Sequence, residues 1–133
     1  MRADGVLARE INADFKRAKM MLTMFAIPNC DTVKKARTWL DAKGIAYTFH
    51  DYKKQGADPA RIAGWADKAG WEKVLNRAGT TFKKLPEADK EGLDAGKAVK
   101  VMAANPSAIK RPIVEYPGGL LVGFKEAEWE EAF

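Results

Sequence analysis

Between Met21 and Lys43 the chain changes its hydrophobic period, and the change is made across two residues. Met21-Leu22-Thr23-Met24-Phe25-Ala26-Ile27 is a short apolar run with the length of a strand buried on both faces. Pro28 and Asn29 break it. From Asp31 the apolar residues return at helical spacing. Val33, Ala36 and Leu40 fall on one face with Trp39 at its border, and Lys34, Lys35, Arg37 and Asp41 fall on the other. Gly44 suits the position just past the helix end. Ile45 to Tyr52 then alternates, with β-branched and aromatic content, and reads as a second strand. A crossover of this length makes the two strands parallel neighbours with the helix packed on the sheet.

The remainder reads as helices followed by a hairpin. Asp58 and Pro59 open a helix as N-cap and first residue, with Ile62, Trp65, Ala66 and Ala69 facing inward and Gly70 at its end. Trp71 to Leu75 form a short further turn, and residues 76–81 a polar loop. Leu93 to Ala104 is again helical in spacing. Pro112 to Tyr116 and Leu120 to Phe124 flank Pro117-Gly118-Gly119 and form an antiparallel hairpin, with a terminal helix from Glu126. The predicted class is therefore α/β: a mixed four-stranded sheet, β-α-β then β-β-α, with an all-helical insert over about 57–105. That order is the order of a thioredoxin-like sheet.

The chain has 133 residues, 47% apolar and 31% charged, which predicts one domain with a real core over 21–133. Residues 1–20 lack the apolar stretch of a secretory signal. They read as an upstream translated stretch or expression scar ahead of Met20, Met21 or Met24. The alternative is a docked helix, because Leu7, Ile11, Phe15, Ala18 and Leu22 lie at helical spacing. The net charge of +5 favours anionic partners. Its lysines and arginines are dispersed among acids, so direct nucleic-acid binding is not expected. No stretch is long and apolar enough to span a membrane.

Cys30 is the only cysteine. A single thiol excludes an internal disulfide and a multi-cysteine zinc site, and it fits a reducing, cytoplasmic compartment. Its place at the strand–helix junction sets it against unpaired first-turn N–H groups and the positive end of the helix dipole. Both favour the thiolate, which is the reactive form. Asp31 beside it opposes a second negative charge. Asn29 and Thr32 are candidates for hydrogen bonds near the thiol and equally for helix capping. His50, the only histidine, ends the second strand near the same sheet edge, but no third group is evident to orient it as a base.

Four local motifs coincide in order. Asn29-Cys30-Asp31-Thr32-Val33-Lys34-Lys35-Ala36 lies at the junction, and His50-Asp51-Tyr52 ends the second strand. Leu75-Asn76-Arg77 with Gly79-Thr80-Thr81 lies in the insert, and Ile109-Lys110-Arg111-Pro112-Ile113 opens the hairpin. Together they resemble the ArsC/Spx family of arsenate reductase-like thioredoxin-fold proteins, in particular its YffB-type subgroup, over residues 21–133. The resemblance implies that Cys30 is the nucleophile and that Arg111 stands beside it. It also implies a cis-proline at Pro112 across from the thiol, and a ligand-binding role for Arg77.

Two departures narrow the activity implied. Arsenate reductases of the family use three arginines, and the third position reads Leu121-Val122-Gly123-Phe124-Lys125, where Lys125 cannot make a planar two-pronged contact. Many Spx regulators, which bind RNA polymerase, carry a Cys-x-x-Cys switch, and here the second position is Val33. The expectation is a monomeric, single-cysteine thiol oxidoreductase that takes glutathione or another small thiol as co-substrate and binds no resident cofactor or metal. The alternatives are an arsenate reductase with a degenerate oxyanion site and an Spx-like interaction protein without turnover. Glutaredoxin or RNA polymerase is the protein partner the family implies.

Overall fold

A computed structural model describes residues 22–133. The expectations for residues 1–20 lie outside the described residues. Strand β1 (Thr23–Ala26) runs parallel to β2 (Thr48–Asp51) on one side and antiparallel to β3 (Ile113–Tyr116) on the other. β3 pairs antiparallel with β4 (Gly119–Val122), and the order across the sheet is β2-β1-β3-β4.

Alternation along β1 divides the core in two. Met24 and Ala26 point to one face, where helix α1 (Asp31–Ala42) buries Val33, Ala36, Trp39 and Leu40. The terminal helix α8 (Glu126–Ala132) adds the fully buried Trp129 on the same side. Phe25 and Ile27 point to the other face, which the helical insert covers. The insert places α3 (Pro59–Ala69) and α7 (Ala95–Ala104) against the sheet through Ile62, Trp65, Ala98 and Met102. Three short helices lie between them: α4 (Trp71–Val74), α5 (Thr80–Lys83) and α6 (Glu87–Lys90). Asp58 caps α3 by accepting from the Ala60 amide at 3.1 Å, and Asp94 caps α7 by accepting from Lys97 at 2.8 Å. Among the described residues no helix is long and apolar enough to cross a membrane.

The second strand is shorter than its alternation predicts, and Tyr52 is not part of it. The Asp51 carboxylate accepts from the Lys53 amide at 2.9 Å and turns the chain into a short helix, α2 (Tyr52–Gln55). Side-chain capping by Asp competes with strand continuation here, and the cap wins. The turn drives Tyr52 into the insert-side core, where it is 4% exposed and its hydroxyl has no hydrogen-bond partner. Burial pushes the phenol well above its ordinary value of 10; the Arg111 charge offsets part of this and Glu115 adds to it.

Two outcomes follow. Ile113, fully buried between Phe25 and Val122 in the sheet, should lose about 2–5 kcal/mol of stability as Ile113→Ala, read as a lower urea midpoint. Tyr52 in the folded chain holds its proton above the pH at which the unfolded chain releases it. Stability therefore falls as pH rises past about 10, where only the unfolded phenol ionises. Tyr52→Phe should flatten that fall while changing stability at neutral pH by no more than about 1 kcal/mol, because no hydrogen bond is lost.

Candidate functional site

The end of β1 delivers Cys30 to the head of α1. Cys30 is the N-cap residue, with extended backbone (φ −148°, ψ 128°), and its carbonyl accepts from the Lys34 amide at 2.9 Å. No side chain caps the helix. The first-turn amides of α1 are therefore left without a side-chain cap next to the thiol. Cys30 is partly exposed and packs against the α1-side core.

Across from it the chain enters β3. The Arg111–Pro112 bond is cis, as the family resemblance implies, and Pro112 is fully buried. The Pro112 carbonyl accepts from the Gly123 amide at 2.8 Å, and the Gly123 carbonyl accepts from the Trp129 indole N–H at 3.1 Å. Gly123 has φ +79°, a backbone region that disfavours side chains, so this turn after β4 needs glycine. Trp129 in turn lies edge-on against Trp39 and Phe124, with ring centres 5.7 Å and 4.9 Å away. The proline side of the site is thus fixed to the core by backbone bonds and one indole.

Between the two sides lies a cleft of about 300 Å³. Cys30, Thr32 and Arg111 line it, joined by Asn76, Lys110 and Lys125, with Val122, Gly123 and Phe124 as its apolar part. Asn76 reaches this place because the insert is tied back to the strand entry. Leu75 and Ile109 form an isolated antiparallel bridge, the Asn76 amide donates to Ala108 at 2.8 Å, and the Lys110 amide donates to Val74 at 2.8 Å.

The structure therefore brings Cys30, Thr32 and Arg111 to one cleft, while Pro112, next to Arg111 in the chain, is fully buried and does not line it. It does not bring Asn29 or Arg77 to the cleft wall. Asn29 is exposed beside the thiol, and the exposed Arg77 holds its guanidinium over the Trp71 ring, 5.5 Å from its centre. His50 is also elsewhere. Its Nε2 is 2.8 Å from the Gly56 carbonyl, and its ring packs 4.9 Å from Phe25 on the insert face. Asn76 and Lys110 were not singled out from the sequence, because the bridge that positions them joins segments more than thirty residues apart. Their one local signal is membership of the Leu75-Asn76-Arg77 and Ile109-Lys110-Arg111 motifs.

Sheet order, cis-proline and a thiol at the head of α1 define a thioredoxin-like protein with a single-cysteine site. The chain belongs to the ArsC family, whose sequence model matches residues 25–132. It is 52% identical to the solved YffB protein, covering 84% of this chain and 98% of that one with a TM-score of 0.83. It is also 52% identical to an arsenate reductase-related protein of Brucella melitensis, with 84% and 93% covered and a TM-score of 0.67. An uncharacterized protein of Haemophilus influenzae is 42% identical over 113 residues, which is 85% of this chain and 99% of that one. The global transcriptional regulator Spx of Streptococcus mutans is 26% identical over 81% of this chain and 80% of its own. These relatives support a thiol-based redox or regulatory role.

Proposed function

We propose that the chain is a single-cysteine thiol oxidoreductase that uses glutathione in a reducing compartment. The observation that carries this reading is the cationic cleft at Cys30. Lys110, Arg111 and Lys125 line the same small cavity as the thiol, and the sequence holds no second cysteine. Glutathione is a thiol with two carboxylates, and that charge pattern suits three cations around one sulfur. Arg111 can hold a carboxylate in two-pronged fashion, while Lys110 and Lys125 act as point charges. Thr32 and Asn76 add hydrogen-bonding capacity.

The chemistry is thiol–disulfide exchange. The Cys30 thiolate attacks one sulfur of a substrate disulfide, a new Cys30–sulfur bond forms, and the other sulfur leaves as a thiolate that takes a proton from water. A glutathione thiolate then attacks the substrate sulfur of the mixed disulfide, Cys30 leaves as thiolate, and a glutathione–substrate disulfide forms. A second glutathione thiolate resolves that disulfide, so two glutathiones supply the two electrons and end as oxidised glutathione. With Val33 at the family's second cysteine position, no internal thiol can do this step.

The arsenate reductase reading needs an oxyanion site of three arginines. Lys125 stands at one of those places, and Arg77 lies over Trp71 instead of at the cleft wall. The regulator reading rests on the similarity to Spx, with RNA polymerase as the partner implied. It predicts binding that ignores Cys30.

Incubation with oxidised glutathione followed by intact mass measurement is the direct test. One glutathionyl group should add to the wild-type chain and none to Cys30→Ser. Arg111→Ala should slow addition by about 10- to 100-fold, the equivalent of about 1.5–3 kcal/mol for a hydrogen bond to a charged group. Absence of any adduct at Cys30 overturns the proposal.

A further inference from the structure

The cleft at Cys30 does not end at Phe124. A second groove of about 470 Å³ runs along the exposed side of α1, and Phe124 lines both. Lys35, Thr38, Trp39 and Ala42 form its α1 wall, the spacing of one continuous helix stripe. Trp39 is nearly buried, and its ring meets Phe124 edge-on at 6.5 Å, so the floor is apolar. Lys34 and Lys35 stand on the α1 rim, and Glu126 is the acidic side chain of the far wall.

The groove starts about one turn from the thiol, at Lys34 and the shared Phe124, but runs farther along α1 than a small disulfide reaches. From Cys30 to Ala42 the helix rises about 18 Å, at 1.5 Å per residue. An extended chain covers that distance with about five residues at roughly 3.3 Å each. Glutathione, with one residue on either side of its cysteine, is too short to reach from the thiol to Ala42. A partner that lies along the groove while its disulfide is at Cys30 needs the reach of a polypeptide.

We infer that the substrate is a glutathionylated protein, with its glutathionyl group in the Cys30 cleft and the flanking polypeptide in the groove along α1. The inference rests on the glutathione reading of the cleft and goes further by naming the other half of the disulfide. The lysine rim selects an acidic segment, and the apolar floor from Trp39 to Ala42 selects an apolar side chain about four to five residues from the modified cysteine. The Cys30 thiolate attacks the glutathione sulfur, the sulfur–sulfur bond of the substrate breaks, and the protein leaves as a thiolate that is protonated by water. A second glutathione thiolate then displaces Cys30 and forms oxidised glutathione. The protein cysteine is reduced, and two glutathiones become one disulfide.

The test compares two substrates in the full chain. One is the small mixed disulfide of cysteine and glutathione. The other is a glutathionylated peptide with acidic residues after its cysteine and a leucine five residues on, alongside a version whose acids are lysines. The acidic peptide should be turned over with kcat/KM at least tenfold above the small substrate and above the lysine peptide. The exposed pair Lys35→Glu and Thr38→Glu, which lies outside the cleft, should remove that advantage and leave the small substrate unchanged. Small-substrate turnover with no peptide preference, or a preference that the groove variant keeps, overturns this inference alone. A groove variant that changes only sedimentation assigns the groove to a second copy, and one that changes only thermal stability assigns it to residues 1–20. Either result overturns the inference. No turnover of any substrate overturns the oxidoreductase reading itself, and this inference with it.

Discussion

Everything in this fold hangs on β1 being an interior strand. It is four residues long, and it is hydrogen-bonded on both sides, parallel to β2 and antiparallel to β3. Its side chains alternate between two separate cores, Met24 and Ala26 under α1, Phe25 and Ile27 under the insert. A one-residue slip would send each set to the wrong face, so register is tightly specified. Because β1 cannot shift, the three residues after it, Ile27, Pro28 and Asn29, carry the chain from a fixed strand end to Cys30 at the head of α1. The position of Cys30 follows from strand burial and from this short turn, where the Cys30 amide donates to the Pro28 carbonyl at 3.0 Å.

The opposite wall is built by a different means. Pro112 has no amide hydrogen, but its carbonyl is held by Gly123, whose own carbonyl is held by Trp129. Trp129 has no exposed surface and belongs to the α1-side core with Trp39. The cleft therefore closes between two rigid supports, and its charged side chains project from them. Arg61 gives a useful contrast. It is paired with Glu115 at 2.6 Å, which also accepts from the Trp65 indole at 2.7 Å. Among the described residues, no ion pair involves Lys110, Arg111 or Lys125. Arg61 serves the architecture.

The elements that could be read from sequence were those with a local cause. β1 is a continuous apolar run, α1 has a clean apolar stripe, α3 begins at an Asp-Pro pair, and the hairpin is marked by Pro117-Gly118-Gly119, of which Gly119 already pairs with Tyr116 as the first residue of β4. The end of β2 is not legible from alternation, which continues through Tyr52 and carries no sign of the Asp51 cap that ends the strand. The two halves of the site differ in the same way. Cys30 at a period change is visible without any structure. Arg111 and Pro112 became candidates only through the family motifs, since a lone Arg-Pro pair is usually an ordinary strand entry. Asn76 and Lys110 depend on the Leu75–Ile109 bridge, a contact no local pattern encodes. Arg77 shows the converse: a motif position carries an arginine whose side chain is stacked on Trp71.

That stacking bears on how the site would take a ligand. A cation over an exposed aromatic ring is worth about 0.5–1 kcal/mol, less than a charge-assisted hydrogen bond to a carboxylate at about 1.5–3 kcal/mol. Arg111 lines the cleft as it stands, whereas Arg77 would first have to leave Trp71. The cleft is set by groups fixed to the sheet and to the Leu75–Ile109 bridge. A single cysteine placed by β1, in a cleft whose three cations have no ion-pair partner among the described residues, leaves the second thiol of the proposed exchange to the ligand, because the sequence contains no other.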